Sequence, residues 1–168
     1  MVIIVTGTIG IGKTTVCKKV IDMARSDGYS CGGILTFKTP DGGLVIEDIQ
    51  TGRKEKLAST EAIYEGPATK KYSFSTIGIQ FGIRAIEQGS ALDILFIDEL
   101  GQLELRGEGF SNVIDLVSTG KIQNLVAVIR KALLEFFLPS LGSPVIFETT
   151  CENRDNLPGK IWASFLHL

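Results

Sequence analysis

Apolar residues in this chain fall into two patterns, short unbroken runs and helically spaced stripes. Val2-Ile3-Ile4-Val5, Ile94-Leu95-Phe96-Ile97 and residues 125–129 are continuous and rich in β-branched side chains, as expected of strands buried on both faces. Val16, Val20, Met23 and Ala24 share one helical face, Lys18, Lys19, Asp22 and Arg25 fall elsewhere, and Gly28 supplies a stop. Further on, Phe110, Val113, Ile114 and Val117 sit at i, i+3, i+4 and i+7, in a helix stopped by Gly120. Residues 132–138 read as a short apolar helix, 145–147 as a strand, and 155–166 as a last helix with Leu157, Ile161 and Phe165 inward.

Between the first helix and the strand at 94 the pattern differs. Residues 31–37 read as a strand, Thr39-Pro40-Asp41-Gly42-Gly43 as a turn, and 44–49 as a second strand. Gln50-Thr51-Gly52 turns again into a short segment ending near Leu57, which gives an antiparallel meander. Glu65-Gly66-Pro67 breaks the chain before a strand at 70–74. Ser75 then caps a helix carrying Ile79, Ile83 and Ile86 that ends at Gly89. Repeated β-α units predict an α/β fold, a mostly parallel sheet with helices on both faces and an added antiparallel β-meander. The whole of 1–168 reads as a single domain.

Where the first strand meets the first helix, the chain reads Gly7-Thr8-Ile9-Gly10-Ile11-Gly12-Lys13-Thr14, followed by Thr15. This fits G-x-x-x-x-G-K-[ST] at every fixed position and has the strand and helix that the motif requires. Its glycines let the backbone wrap an anion, and the helix adds unpaired N–H groups and the positive end of its dipole. Lys13 would then reach the β- and γ-phosphates, and the Thr14 hydroxyl would ligand Mg²⁺. The competing reading is a chance glycine-rich turn. The motif predicts that the chain binds a nucleoside triphosphate or diphosphate.

The run 94–97 ends in Asp98-Glu99. Ligands of open α/β sheets bind at the carboxyl ends of the strands, so Asp98 and the phosphate loop should share one edge. Asp98 is placed to hold Mg²⁺, and Glu99 to orient or deprotonate a water. Against these stand a turn-capping Asp98 and a Glu99 engaged in a surface ion pair. Charge on a transferring phosphoryl group calls for another cation, for which Arg106, Arg130 and Arg154 are the candidates. Arg130, directly after the strand at 125–129, belongs on the same edge, as a functional group or as a solvated charge. Arg106, in a loop after the Asp98-Glu99 strand, reads as a surface or ion-pair residue.

Composition narrows the partners. The net charge is −2, hydrophobic residues make up 44% and charged residues 21%, with no long basic run, which disfavours nucleic acid. The apolar N-terminus runs straight into the phosphate loop, unlike a signal peptide, and no apolar stretch reaches membrane-spanning length. A cytoplasmic chain with no membrane partner is expected. Cys17, Cys31 and Cys151 are scattered, as suits small buried thiols in a reducing compartment, and His167 reads as a solvated tail residue.

Taken in order, the phosphate loop, Gly32-Gly33-Ile34-Leu35-Thr36, Ile97-Asp98-Glu99-Leu100-Gly101-Gln102-Leu103-Glu104-Leu105 and Glu152-Asn153-Arg154 form a familiar set. The chain resembles the small nucleoside-triphosphatase family of hyperthermophiles, which has a vertebrate cancer-related member. The resemblance spans nearly the whole chain, and the segment starting at Ile97 is its most specific part. It implies a RecA-like P-loop NTPase fold, Mg²⁺ dependence, and hydrolysis of ATP, GTP, CTP and UTP with weak base preference. It also assigns Lys13 and Thr14 to the phosphate and magnesium site, Asp98 to the metal and Glu99 to the water. Glu104 matches a family acid of underived role. Asn153 and Arg154 match a family E-N-R. They would contact the nucleobase, Arg154 by stacking on the ring, or else form a helix cap and an ion pair. Two departures stand out: Phe37-Lys38-Thr39-Pro40 where the family has acids and an arginine, and Leu103 for a methionine.

Two other functions compete with hydrolysis. A small nucleoside or nucleotide kinase uses the same loop but usually closes an arginine-rich lid, and no segment here carries that cluster. A nucleotide-gated binding module would show very low turnover without its partner.

Overall fold

The computed structural model describes residues 1–166. Its strands are β1 (Val2–Thr6), β2 (Cys31–Lys38), β3 (Leu44–Asp48), β4 (Lys54–Ser59), β5 (Ser73–Phe74), β6 (Ile94–Leu100), β7 (Leu125–Ile129) and β8 (Val145–Glu148). The helices are α1 (Lys13–Ser26), α2 (Thr76–Gly89), α3 (Gln102–Leu105), α4 (Asn112–Ser118), α5 (Leu134–Leu141) and α6 (Leu157–Leu166). All eight strands form one sheet in the order β5-β4-β3-β2-β6-β7-β1-β8. From β2 to β8 every neighbour is parallel, and from β2 to β5 every neighbour is antiparallel. The meander therefore extends the parallel sheet at the β2 edge, as the turn signals predict. Because β7 lies between β1 and β6, the phosphate loop and Asp98-Glu99 sit two strands apart with Arg130 between them.

The unbroken apolar runs feed both faces. Ile3, Val5, Phe96, Val126 and Val128 pack against Val16, Val20, Ile161 and Trp162, placing α1 and α6 on one side. Ile4, Leu95, Ile97, Ala127 and Ile129 pack against Ile79, Ile86, Val113, Phe137 and Leu141, placing α2, α4 and α5 on the other. Alternate residues of one strand thus serve opposite cores, which is why neither face shows a polar alternation. The last residue of α2 has a second reason to be glycine. A Cβ on Gly89 would come within 2.5 Å of the Gly33 amide nitrogen, so the helix rests directly on the β2 backbone.

Several boundaries differ from the sequence pattern. In α1 the buried stripe is Val16, Cys17, Val20, Ile21 and Ala24, while Met23 is exposed. The strand expected at 70–74 shrinks to β5. Thr69 donates its amide to the Tyr72 carbonyl and its hydroxyl accepts from the Lys71 and Tyr72 amides, folding 69–72 into a turn. Phe110 precedes α4 instead of joining its stripe, and the helix expected at 132–138 begins as a 3₁₀ turn over Lys131–Leu133. Residues 151–156 are turns, so the last helix starts at Leu157, with Leu157, Ile161 and Phe165 buried as expected. Cys17 and Cys31 are buried, but Cys151 lies exposed in that turn, contrary to expectation. His167 lies outside the described residues.

Candidate active site

The phosphate loop holds its shape through left-handed glycines, with φ of 143° at Gly7, 78° at Gly10 and 108° at Gly12. A Cβ on Gly7 would also meet the Thr149 carbonyl oxygen at 2.8 Å, so the position is closed to other residues on two counts. Thr8, Ile9 and Gly10 are exposed and Ile11 is half-buried. At the start of α1, the Val16 amide donates to the Gly12 carbonyl at 3.0 Å, which leaves the Lys13, Thr14 and Thr15 amides for an anion. Lys13 is 6% exposed and folds back over its own loop, its Nζ donating to the carbonyls of Gly7 (3.1 Å) and Thr8 (2.7 Å). Burial pulls its pKa down, against the opposing pull of Glu99 and Asp98.

Asp98 is 3% exposed, and its Oδ2 has no hydrogen-bond partner among the described residues. Burial raises its pKa to about 7, with the Thr14 hydroxyl acting in the opposite direction. Its backbone carbonyl accepts from the Thr36 hydroxyl at 2.5 Å, which ties β6 to β2 at the site. Glu99, the next residue, is more exposed, and its Oε1 accepts from Arg130 Nε at 2.6 Å. The peptide bond between Asp98 and Glu99 is cis, and the β6–β7 register shifts between Asp98 and Leu100.

A cavity of about 600 Å³ gathers these groups. Gly10, Gly12, Lys13, Thr14, Thr15, Asp98, Glu99 and Arg130 all line it, so the loop, the strand-end carboxylates and the expected cation converge. Asn153 and Arg154 do not line it. Asn153 ties down its own turn, accepting from the Thr150 amide at 2.9 Å and donating to the Glu148 carbonyl at 2.8 Å. Arg154 is exposed, with Cδ 3.9 Å from where a Cβ on Gly12 would stand, so it flanks the loop from outside the cavity. Arg106 pairs with Glu108 at 2.7 Å, as a surface residue.

Two contributors escaped the sequence pattern. Lys18 lines the cavity one helical turn beyond Thr14, and that i, i+4 spacing is a signal the sequence does carry. Glu104 matches a family acid, but the residue pattern assigns it no role. Both of its carboxylate oxygens are spent on backbone amides, Oε2 accepting from Gly101 (2.7 Å) and Oε1 from Phe110 (2.8 Å). It pins the loop that leaves Glu99, although burial raises its own pKa. Glu104→Ala strands two amides and should cost about 3 kcal/mol. That would lower the thermal midpoint by roughly 6–12 °C. Glu104→Gln, which keeps one acceptor, should lose less, and differential scanning calorimetry would rank the three chains.

A parallel sheet with a glycine-rich loop after β1 and an acid pair ending a strand two places away defines a P-loop NTPase. The NTPase family profile matches residues 2–162, and the chain belongs to that family. Among its relatives, the nucleoside-triphosphatase THEP1 of Methanothermobacter thermautotrophicus is 34% identical over 140 residues, 79% of each chain. That of Methanosarcina barkeri is 31% identical over 165 residues, 95% of this chain and 94% of the relative. The crystal structure of THEP1 from Aquifex aeolicus superposes with a TM-score of 0.70 at 24% identity, covering 98% of both chains, and shows the shared fold. The protein is a nucleotide-hydrolysing enzyme of this fold.

Proposed function

We propose that the chain hydrolyses nucleoside triphosphates at the γ-phosphate, with Mg²⁺, and with little regard for the base. The observation that carries this reading is Glu99 held by Arg130 at 2.6 Å on the rim of the phosphate-loop cavity, next to Asp98. Backbone amides of Gly7, Thr8, Ile9, Gly10, Ile11 and Gly12 would surround the β-phosphate. The Thr14 and Thr15 amides would face the phosphates nearer the ribose. Lys13 would exchange its carbonyl partners for phosphate oxygens.

The donor set suits a magnesium ion. No cluster of three or more His, Cys, Asp or Glu occurs among the described residues. Mg²⁺ on nucleotides uses one or two protein oxygens plus phosphates and waters, however, and the partnerless Asp98 Oδ2 beside Thr14 supplies that set. Held by these residues, such an ion would supply neutralisation of phosphate charge. Glu99 would orient a water and take its proton, while Arg130 would hold the carboxylate and face the developing negative charge.

Base tolerance follows from what surrounds the nucleoside end. Asn153 has its amide engaged internally, which leaves Arg154, a stacking group without base-edge selectivity, to meet the ring. No helix among the described residues is long and apolar enough to cross a membrane. Phosphate release should be measured over ATP, GTP, CTP and UTP with Mg²⁺ and then with excess EDTA. Comparable rates that EDTA abolishes are expected. A single accepted base, or full activity in EDTA, would contradict the proposal.

A further inference from the structure

Beyond Glu99 and Arg130 the phosphate cavity adjoins a second chamber of about 360 Å³. Thr36, Glu99 and Arg130 border both spaces, whereas Lys13, Thr14 and Asp98 border the first alone. The chamber walls are Leu44, Leu57, Phe74, Ile79, Leu103 and Phe110, and the exposed Lys70 and Lys71 stand at its rim. A hydrolytic water needs about 30 Å³ and two to four polar partners. This chamber is far larger and mostly apolar, within the range of small-molecule sites.

We propose that the chamber binds the apolar, ring-sized body of a small alcohol and presents its hydroxyl to the γ-phosphoryl group. The enzyme would then transfer phosphoryl to an organic acceptor as well as to water. The inference rests on the proposed placement of the triphosphate in the first cavity. In-line displacement requires the nucleophile opposite the leaving β–γ oxygen. The phosphate loop holds the β side, and Glu99 forms the boundary on the other, so a molecule in the chamber approaches from the nucleophile's side.

The chemistry balances without a further reactant. The alcohol oxygen bonds to the γ-phosphorus, the bridging P–O bond breaks, its electron pair leaves on the diphosphate, and the hydroxyl proton passes to Glu99. The products are a phosphate monoester and a nucleoside diphosphate. The walls also restrict the acceptor. Glu104 borders the chamber, but both its carboxylate oxygens already accept backbone amides. Thr36, Thr69 and Gln102 also border it, but with most of the wall carbon a sugar or nucleoside would leave many of its hydroxyls unpaired, which is costly. An aromatic or alicyclic alcohol fits, and Lys70 and Lys71 favour one with a carboxylate.

The test uses the full chain with ATP and Mg²⁺, and 4-(hydroxymethyl)benzoate as the probe acceptor, with glycerol as a polar control. Phosphorus NMR reads the ester and a coupled assay reads ADP. Saturable ester formation with several-fold faster ADP release is expected with the probe and not with glycerol. Ala132→Trp and Gln102→Trp, which fill the chamber from its exposed walls, should remove the ester while leaving hydrolysis in water at the parent rate. A parent chain that hydrolyses ATP but forms no ester, or ester formation untouched by both fillings, overturns the inference alone. A chain that neither hydrolyses nor transfers overturns the reading beneath it.

Discussion

Glu99→Gln is expected to lower nucleoside-triphosphate hydrolysis by about 10²–10⁴-fold, the usual worth of a general base. Nucleotide binding should survive, because the phosphate loop, Lys13 and Asp98 are untouched. The amide keeps the shape of the carboxylate and an oxygen for Arg130 Nε, but it has no basicity to accept a proton from water. Fold stability should hardly change. The Glu99–Arg130 pair is partly open to solvent, at 26% and 43% exposure, and pairs of that kind are worth about 1 kcal/mol or less. Steady-state phosphate release, fluorescent-nucleotide titration and a melting curve on one preparation separate these effects. Turnover equal to the parent's would remove Glu99 from the chemistry.

Asp98→Asn should make the nucleotide-free protein more stable and nearly inactive. Asp98 is buried with one oxygen unpartnered, so its charged form is disfavoured in the fold. The sign follows from its pKa of about 7 in the folded chain against an ordinary value of 3.8. Below pH 3.8 the group is protonated folded and unfolded alike, and it costs nothing. As pH rises toward 7, the unfolded chain ionises first and native stability falls; above 7 the full penalty applies, on the order of 4 kcal/mol at most. Asparagine has no charge to bury. In EDTA at pH 8 the variant should therefore melt higher by roughly 5 °C, taking 2–4 °C per kcal/mol and partial recovery of the penalty. The gap should close as pH falls toward 4, a comparison in which other titrating groups cancel. Loss of the carboxylate oxygen should meanwhile cut Mg²⁺-dependent turnover at least as severely as Glu99→Gln. A variant that melts lower at pH 8 would contradict this account of the site.

Glu99 and Asp98 were legible in the sequence, for a physical reason. A phosphate loop must be a strand, a glycine-rich turn and a helix in immediate succession, so β1, Gly7, Gly10, Gly12, Lys13 and α1 announce themselves locally. Asp98 and Glu99 end an unbroken apolar run, and the rule that ligands sit at strand carboxyl ends put them and Arg130 on one edge. The Glu99–Arg130 contact itself joins residues from neighbouring strands, and no local pattern fixes its 2.6 Å. Glu104 stood out only as a match to a family acid, and its role was unreadable because its partners are backbone amides, which have no letter in the sequence. The strand expected at 70–74 is cut to Ser73–Phe74 because the Thr69 hydroxyl accepts the Lys71 and Tyr72 amides, and side-chain hydrogen bonds of this kind compete with strand pairing. The apolar chamber depends on Leu57, Phe74, Ile79 and Phe110 meeting from four separate segments. In the linear pattern each of them reads as ordinary core.

Above all, water is expected to attack the γ-phosphorus of the bound triphosphate. Hydrolysis of ATP in ¹⁸O-labelled water, with mass spectrometry of both products, tests it directly. One labelled oxygen in the inorganic phosphate and an unlabelled ADP is the expected result. Label in the nucleotide product, or release of pyrophosphate with AMP, would contradict it.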